Sequence, residues 1–137
     1  MKNISLLLID DDEIERMKFK RVCQKNKYTH TVLEAANGEM ALDILENEET
    51  LPNLILLDLN MPKMNGTEFL SVLKSNKSLK YIPIIVMSSS DNEKDVKECY
   101  ELGIAGYIIK PLHFAEYTKR IVSLLSYWEI NELVLDI

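Results

Sequence analysis

Cysteine, basic charge and long apolar runs are all scarce in this sequence, and each scarcity removes a class of protein. Only two cysteines occur, Cys23 and Cys99. They form no metal-binding spacing and no disulfide framework, so both are expected as reduced thiols. Lys and Arg total 16 against 22 Asp and Glu, a formal net charge of −6. No basic run interrupts that balance, whereas a nucleic-acid surface needs clustered cations to displace counterions. Strongly apolar stretches reach about six residues, far from the roughly 20 that cross a bilayer. The start, Met1-Lys2-Asn3-Ile4, runs into a strand-like segment without a cleavage signature. A cytoplasmic protein with no nucleic-acid and no membrane partner is the expectation.

What is present suits one domain. The 137 residues are 47% hydrophobic, enough to bury a real core, and no repeat, low-complexity segment or linker divides them. Four short apolar runs stand out: Leu6-Leu7-Leu8-Ile9, Leu54-Ile55-Leu56-Leu57, Ile84-Ile85-Val86-Met87 and Tyr107-Ile108-Ile109. Runs this short and apolar predict strands of a parallel sheet buried on both faces. The segment His30–Ala35 is more mixed, as an edge strand would be.

Between the runs the period becomes helical. Met40, Ala41, Ile44 and Leu45 make one stripe, and Phe114, Tyr117, Ile121, Leu124 and Leu125 another. Asn65 with Glu68, and Ser90 with Glu93, have the spacing of a helix cap and its reciprocal partner. Asp11 or Asp12 is a further cap candidate, and Gly103 is placed to end a helix. The strand–helix alternation predicts an α/β fold, a doubly wound (βα)5 unit with five parallel strands. Such sheets bind ligands beyond the carboxyl ends of their strands.

Those ends carry the chemistry. Asp10-Asp11-Asp12 follow the first run, Asp58 the Leu54–Leu57 run, Ser88-Ser89-Ser90 the next, and Lys110-Pro111 the last. Each piece alone has an ordinary reading as cap, loop or turn; their joint arrival at one rim does not. Clustered carboxylates repel one another and take up protons unless a cation holds them ionised. Mg²⁺ suits such a site, being a hard ion that uses one or two carboxylates with phosphate and water. Together with Lys110 it balances the charges of Asp10, Asp11 and Asp58, so an incoming phosphoryl group meets a neutralised pocket.

The run Leu57-Asp58-Leu59-Asn60-Met61-Pro62, with Asp10-Asp11, Ser88 and Lys110-Pro111, resembles the receiver domain of two-component response regulators, chemotaxis-regulator-like ones among them. The likeness extends over nearly the whole chain. It implies a flavodoxin-like receiver fold with strand order 2-1-3-4-5, spanning residues 1–127, and a tail over 128–137 without a separate output domain. It implies Asp58 as phosphoacceptor, Asp11 as a direct Mg²⁺ ligand, Asp10 acting mainly through water, and the Asn60 backbone carbonyl on the metal. Lys110 would pair with phosphoryl oxygens. Ser88 would hydrogen-bond the phosphoryl group, with Ser89 as the alternative, and Tyr107 would be the switch aromatic. Ser90 occupies a position that influences dephosphorylation. The Lys110–Pro111 peptide would be cis.

The implied partners are a sensor histidine kinase or phosphotransfer protein, an unspecified downstream protein, and a second copy of the chain. The apolar tail, Trp128, Ile130, Leu133, Val134, Leu135 and Ile137, is expected at such an interface or folded back on its own domain. The domain would catalyse its own phosphorylation and dephosphorylation, making it a switch rather than an enzyme. Other readings fit less well. A dehalogenase-type phosphatase expects an acid where Asn60 stands, and the acidic first loop would repel a flavodoxin's phosphate. A phosphorylation-independent interaction module of receiver fold normally lacks the acidic pair, the acceptor or the lysine, and all are present here.

Overall fold

The computed structural model describes residues 3–47, 49, 51–62 and 64–134. Five strands and five helices alternate: β1 (Ser5–Ile9), α1 (Glu13–Lys25), β2 (Thr31–Ala35), α2 (Gly38–Asn47), β3 (Leu54–Leu57), α3 (Gly66–Ser75), β4 (Ile84–Ser88), α4 (Glu93–Glu101), β5 (Gly106–Ile109) and α5 (Phe114–Glu129). The strands pair in parallel in the order β2-β1-β3-β4-β5.

Successive side chains of a strand point to opposite faces, and this divides the core in two. On one face Leu7, Ile9, Ile55, Leu57, Ile84 and Val86 pack against Ala41 and Leu45 of α2, Phe69, Leu70 and Leu73 of α3, and Cys99 of α4. On the other, Leu6, Leu8, Leu54, Leu56, Ile85 and Met87 meet Phe19, Val22 and Cys23 of α1 and Tyr117, Ile121, Leu124 and Leu125 of α5. Full burial of one such side chain stabilises the fold by about 1.5–3 kcal/mol. The two layers therefore fix the strand register that brings the carboxyl ends together.

The expected edge strand, β2, is an edge. Strand β5 lies at the opposite edge, as the implied strand order has it, and is half-buried throughout, so the expectation that its run is buried on both faces fails. Apolar content alone does not reveal that a strand has a neighbour on one side only. In α2 the stripe is narrower than expected, because Met40 is exposed while Ala41 and Leu45 are buried.

The Asn65–Glu68 capping box opens α3 as expected. Gly66 beside it is obligatory, since a Cβ there would sit 2.6 Å from the Leu59 Cα. That close approach seats the start of α3 against the residue after Asp58. Asp12 caps α1, accepting from the Ile14 amide at 2.9 Å. The expected Ser90 cap is replaced by Asn92, which accepts from Lys94 at 2.8 Å. Helix α4 starts at Glu93, too late for Ser90. The Ser90 hydroxyl instead donates to Asp95 at 2.7 Å and accepts from the Asn92 amide at 3.3 Å. Gly103 has φ +93°, the left-handed conformation of a helix-terminating residue.

Helix α5 continues past residue 127 to Glu129. Trp128 and Leu133 pack against the α1/α5 layer, and the Glu129 carboxylate, buried, is 2.9 Å from His30 Nε2. His30 Nδ1 accepts from the Ile4 amide at 3.0 Å. An amide can only donate, so the ring proton belongs on Nε2, facing Glu129. The boundary drawn at 127 thus falls inside a helix anchored to the start of the sheet. Ile130 and Val134 remain exposed, and Leu135 and Ile137 lie outside the described residues. Among the described residues no helix is long and apolar enough to cross a membrane.

Candidate functional site

Three strands deliver the central carboxylates and amine to one rim. Asp58 follows β3, and its amide donates to the Ile9 carbonyl at 2.9 Å, extending the β1/β3 pairing by one step. Asp10 follows β1 and is tied to the Ala35 carbonyl at 3.1 Å. Lys110 follows β5, with its amide on the Ser88 carbonyl at 2.8 Å. The side chains of Asp10 and Asp58 are buried, whereas Asp11 is exposed. Carboxylate oxygens of Asp10, Asp11 and Asp58 all lie within 4.8 Å of one another.

Lys110 Nζ reaches over this cluster, 2.9 Å from Asp10 Oδ2 and 3.7 Å from Asp58 Oδ1. Its first partner in this state is therefore Asp10. The other Asp10 oxygen accepts from the Asp12 amide at 3.0 Å. Asp58 has little support by comparison: the Asn60 amide approaches Oδ1 at 3.4 Å, a long and weak bond.

Electrostatics follow from this geometry. Burial pushes the Asp58 carboxyl up to about 6, the Lys110 charge pulls it back, and the charges of Asp10 and Asp11 push it up again. Burial opposes the Lys110 ammonium, but the bond to Asp10 and the charges of Asp10, Asp58 and Glu15 outweigh it, so its pKa is raised. All donor atoms of the cluster are carboxylate oxygens, with the exposed Asp11 open to water, and such a set fits a hard divalent cation.

Ser88 and Tyr107 stand close by but are not joined to each other. Ser88 is fully buried at the end of β4, and its hydroxyl accepts from the Ser90 amide at 3.1 Å. Tyr107 lies beside Val86 in the β4/β5 pairing, and its hydroxyl donates to the Ser90 carbonyl at 2.8 Å. Asn60 is exposed on the loop after β3. The Lys110–Pro111 peptide, expected cis, is trans, as is every other described peptide bond. Trans is the intrinsically favoured X–Pro form by about 0.5–1 kcal/mol, and in it Lys110 already reaches both Ser88 and Asp10.

A family model, the response regulator receiver domain, matches residues 6–122. The chain belongs to the response regulator receiver family. This receiver domain is 33% identical over 128 residues to response regulator Rcp1 of Synechocystis, covering 90% of this chain and 87% of that protein. It is 32% identical over 127 residues to the probable methanogenesis regulatory protein FilR2 of Methanothrix harundinacea, covering 90% and 82%. Among solved structures, the phosphorylated cyanobacterial phytochrome response regulator RcpA superposes with a TM-score of 0.89 at 29% identity, covering 96% of this chain and 99% of that one. The Mn²⁺-bound form of Rcp1 gives a TM-score of 0.87 at 32% identity, with coverage of 96% and 99%. The sheet order and helices described above are those of the receiver fold.

Sequence reasoning passed over one residue that touches the centre of this receiver domain. Arg16 of α1 donates through Nη1 to the Asp10 carbonyl at 2.7 Å and through Nε to Glu34 at 3.2 Å. The signal was available: Arg16 stands one helical turn after the cap Asp12, and helical side chains lean back toward the N-terminus. That direction leads to the end of β1.

Proposed function

We propose that this chain is a phosphorylation switch. Asp58 accepts a phosphoryl group from a phosphohistidine of a sensor kinase or phosphotransfer protein, with Mg²⁺ held by Asp10, Asp11, Asp58 and the Asn60 carbonyl. The observation that carries the reading is the setting of Asp58: a buried, weakly hydrogen-bonded carboxylate beside Lys110, with two further carboxylates in reach of one ion. The phosphorylated RcpA and Mn²⁺-bound Rcp1 structures support it by likeness.

When bound, the cation neutralises the carboxylates and the phosphoryl oxygens, which is most of what phosphoryl transfer requires beyond positioning. An Asp58 oxygen attacks phosphorus as the phosphorus–nitrogen bond of the donor breaks and the imidazole leaves with the electron pair. Lys110 exchanges its Asp10 partner for a phosphoryl oxygen. Ser88 turns its hydroxyl from the Ser90 amide toward the same group. Ser90 and Tyr107 are hydrogen-bonded through the Ser90 carbonyl, so a shift of this loop reaches the Tyr107 ring. A protein partner then reads the α4–β5–α5 face, and water hydrolyses the acyl phosphate to reset the switch.

The test is labelling with a small-molecule phosphodonor and Mg²⁺. Wild type is expected to gain one acyl phosphate, labile to alkali and removed by hydroxylamine, and Asp58→Asn none while keeping its fold. Equal labelling of Asp58→Asn would overturn the assignment.

A further inference from the structure

The three carboxylates are not held equally. Asp10 is secured at each polar group: its amide on Ala35 (3.1 Å), Oδ1 by the Asp12 amide (3.0 Å), Oδ2 by Lys110 (2.9 Å) and its carbonyl by Arg16 (2.7 Å). Asp11 is exposed, and among the described residues nothing donates a hydrogen bond to its carboxylate. The backbone then sets the point from which the Asp11 side chain extends. The peptide leading into Asp11 contains the Asp10 carbonyl, and β1 has ended at Ile9, so no ladder bond orients it. Arg16 does.

Arg16 is itself fixed. Its side chain is 17% exposed, and Nε donates to Glu34 at 3.2 Å while Lys20 holds the other Glu34 oxygen at 2.9 Å. A guanidinium is planar and rigid, so anchoring Nε on β2 aims Nη1 at the carbonyl. A lysine ammonium has no such fork.

We propose that Arg16 is a positioning residue for the acidic centre, holding the Asp10–Asp11 peptide so that the Asp11 carboxylate stands ready for a divalent cation. The proposal rests on the cation-binding reading given above. Two opposing effects make it testable. Removing a positive charge beside an anionic site tightens cation binding by electrostatics alone. Removing a positioning partner weakens it, by about 10–100-fold for the outer partners of metal ligands.

The experiment is Mn²⁺ titration of the full chain, with the urea midpoint of each variant measured in chelator. Wild type is expected to bind Mn²⁺ and Asp11→Ala to set the scale of ligand loss. Arg16→Gln is expected to weaken binding about tenfold, and Arg16→Lys, which keeps the charge and a donor, to recover part of that loss. Glu34→Gln, which keeps an oxygen for Nε and so leaves Nη1 aimed at the carbonyl but removes the charge of the α1–β2 ion pair, is expected to lose clearly less than Arg16→Gln. Arg16→Met keeps the aliphatic stem and carries the test where Arg16→Gln does not fold. Unchanged or tighter Mn²⁺ binding in Arg16→Gln or Arg16→Met overturns the proposal. So does an equal loss in Glu34→Gln, which would reduce Arg16 to a clip between α1 and β2. A wild-type chain that takes up no Mn²⁺ removes the cation-binding reading itself, and is thereby told apart from failure of the Arg16 proposal alone.

Discussion

Replacing Asp58 by Asn should stabilise the cation-free protein at neutral and alkaline pH, and the gain should vanish in acid. Burial raises the Asp58 carboxyl from 3.8 to about 6. The folded chain therefore binds this proton more tightly than the unfolded one. Stability contributed by the protonated form is fully present below about pH 4 and is lost as pH rises toward 6. A shift of about two units at about 1.4 kcal/mol each gives an upper figure of roughly 3 kcal/mol. The Lys110 charge is already included in the shift, and the substitution leaves Lys110 its first partner, Asp10, which stands at 2.9 Å in the unsubstituted chain. Asn preserves the shape and can still accept the weak Asn60 bond. At pH 8, in chelator, Asp58→Asn should thus unfold about 5–10 °C above wild type, since 1 kcal/mol moves the midpoint by roughly 2–4 °C or more in a domain of this size. Near pH 4 the two midpoints should nearly coincide. The other titrating groups are common to both proteins, so the difference reports Asp58 together with its coupling to Lys110, Asp10 and Asp11. Adding Mg²⁺ at pH 8 should raise wild type toward the variant, because a ligand that binds only the folded state stabilises it. A gap that stays constant from pH 4 to pH 8, or a wild type more stable than Asp58→Asn at pH 8, would refute the reasoning.

Three more outcomes follow from particular contacts. Lys110→Ala should leave Mg²⁺ binding largely intact or tighter, because the lysine offers no ligand and its charge beside Asp10 and Asp58 opposes the cation. Its phosphorylated form should lack the spectral change at Tyr107, and a full wild-type response there would contradict the assigned role. Glu129→Ala leaves the buried His30 Nε2 without its acceptor, and the lost charged hydrogen bond should cost about 1.5–3 kcal/mol in urea unfolding. Truncation after Tyr127 should destabilise at least as much, since Trp128 and Leu133 leave the core as well. Unchanged stability of the truncated chain would mean that the end of α5 serves an interface instead.

Much of the site was legible because strand-end chemistry is local. Asp58 comes directly after four buried apolar residues, and Asp10 and Lys110 sit at matching points of their own strands. A parallel sheet with right-handed crossovers leaves one rim on which such residues can meet. The capping box of Asn65 and Glu68 was legible for the same reason: it depends on residues three apart.

Other features depend on distance in sequence, and only the tertiary structure decided them. Lys110 rests on Asp10 rather than Asp58, a choice made by hydrogen-bond geometry at the rim. The pairing of His30 with Glu129 joins residues 99 apart, and nothing in either neighbourhood announces it. The sequence by itself determined the periodicities, the caps and the roster of reactive groups, all set by bonds and sterics within a few residues. Which of those groups touch, which carry the burial penalty and how the last helix is anchored were decided by packing, because desolvation and hydrogen-bond geometry exist only once distant segments share a surface.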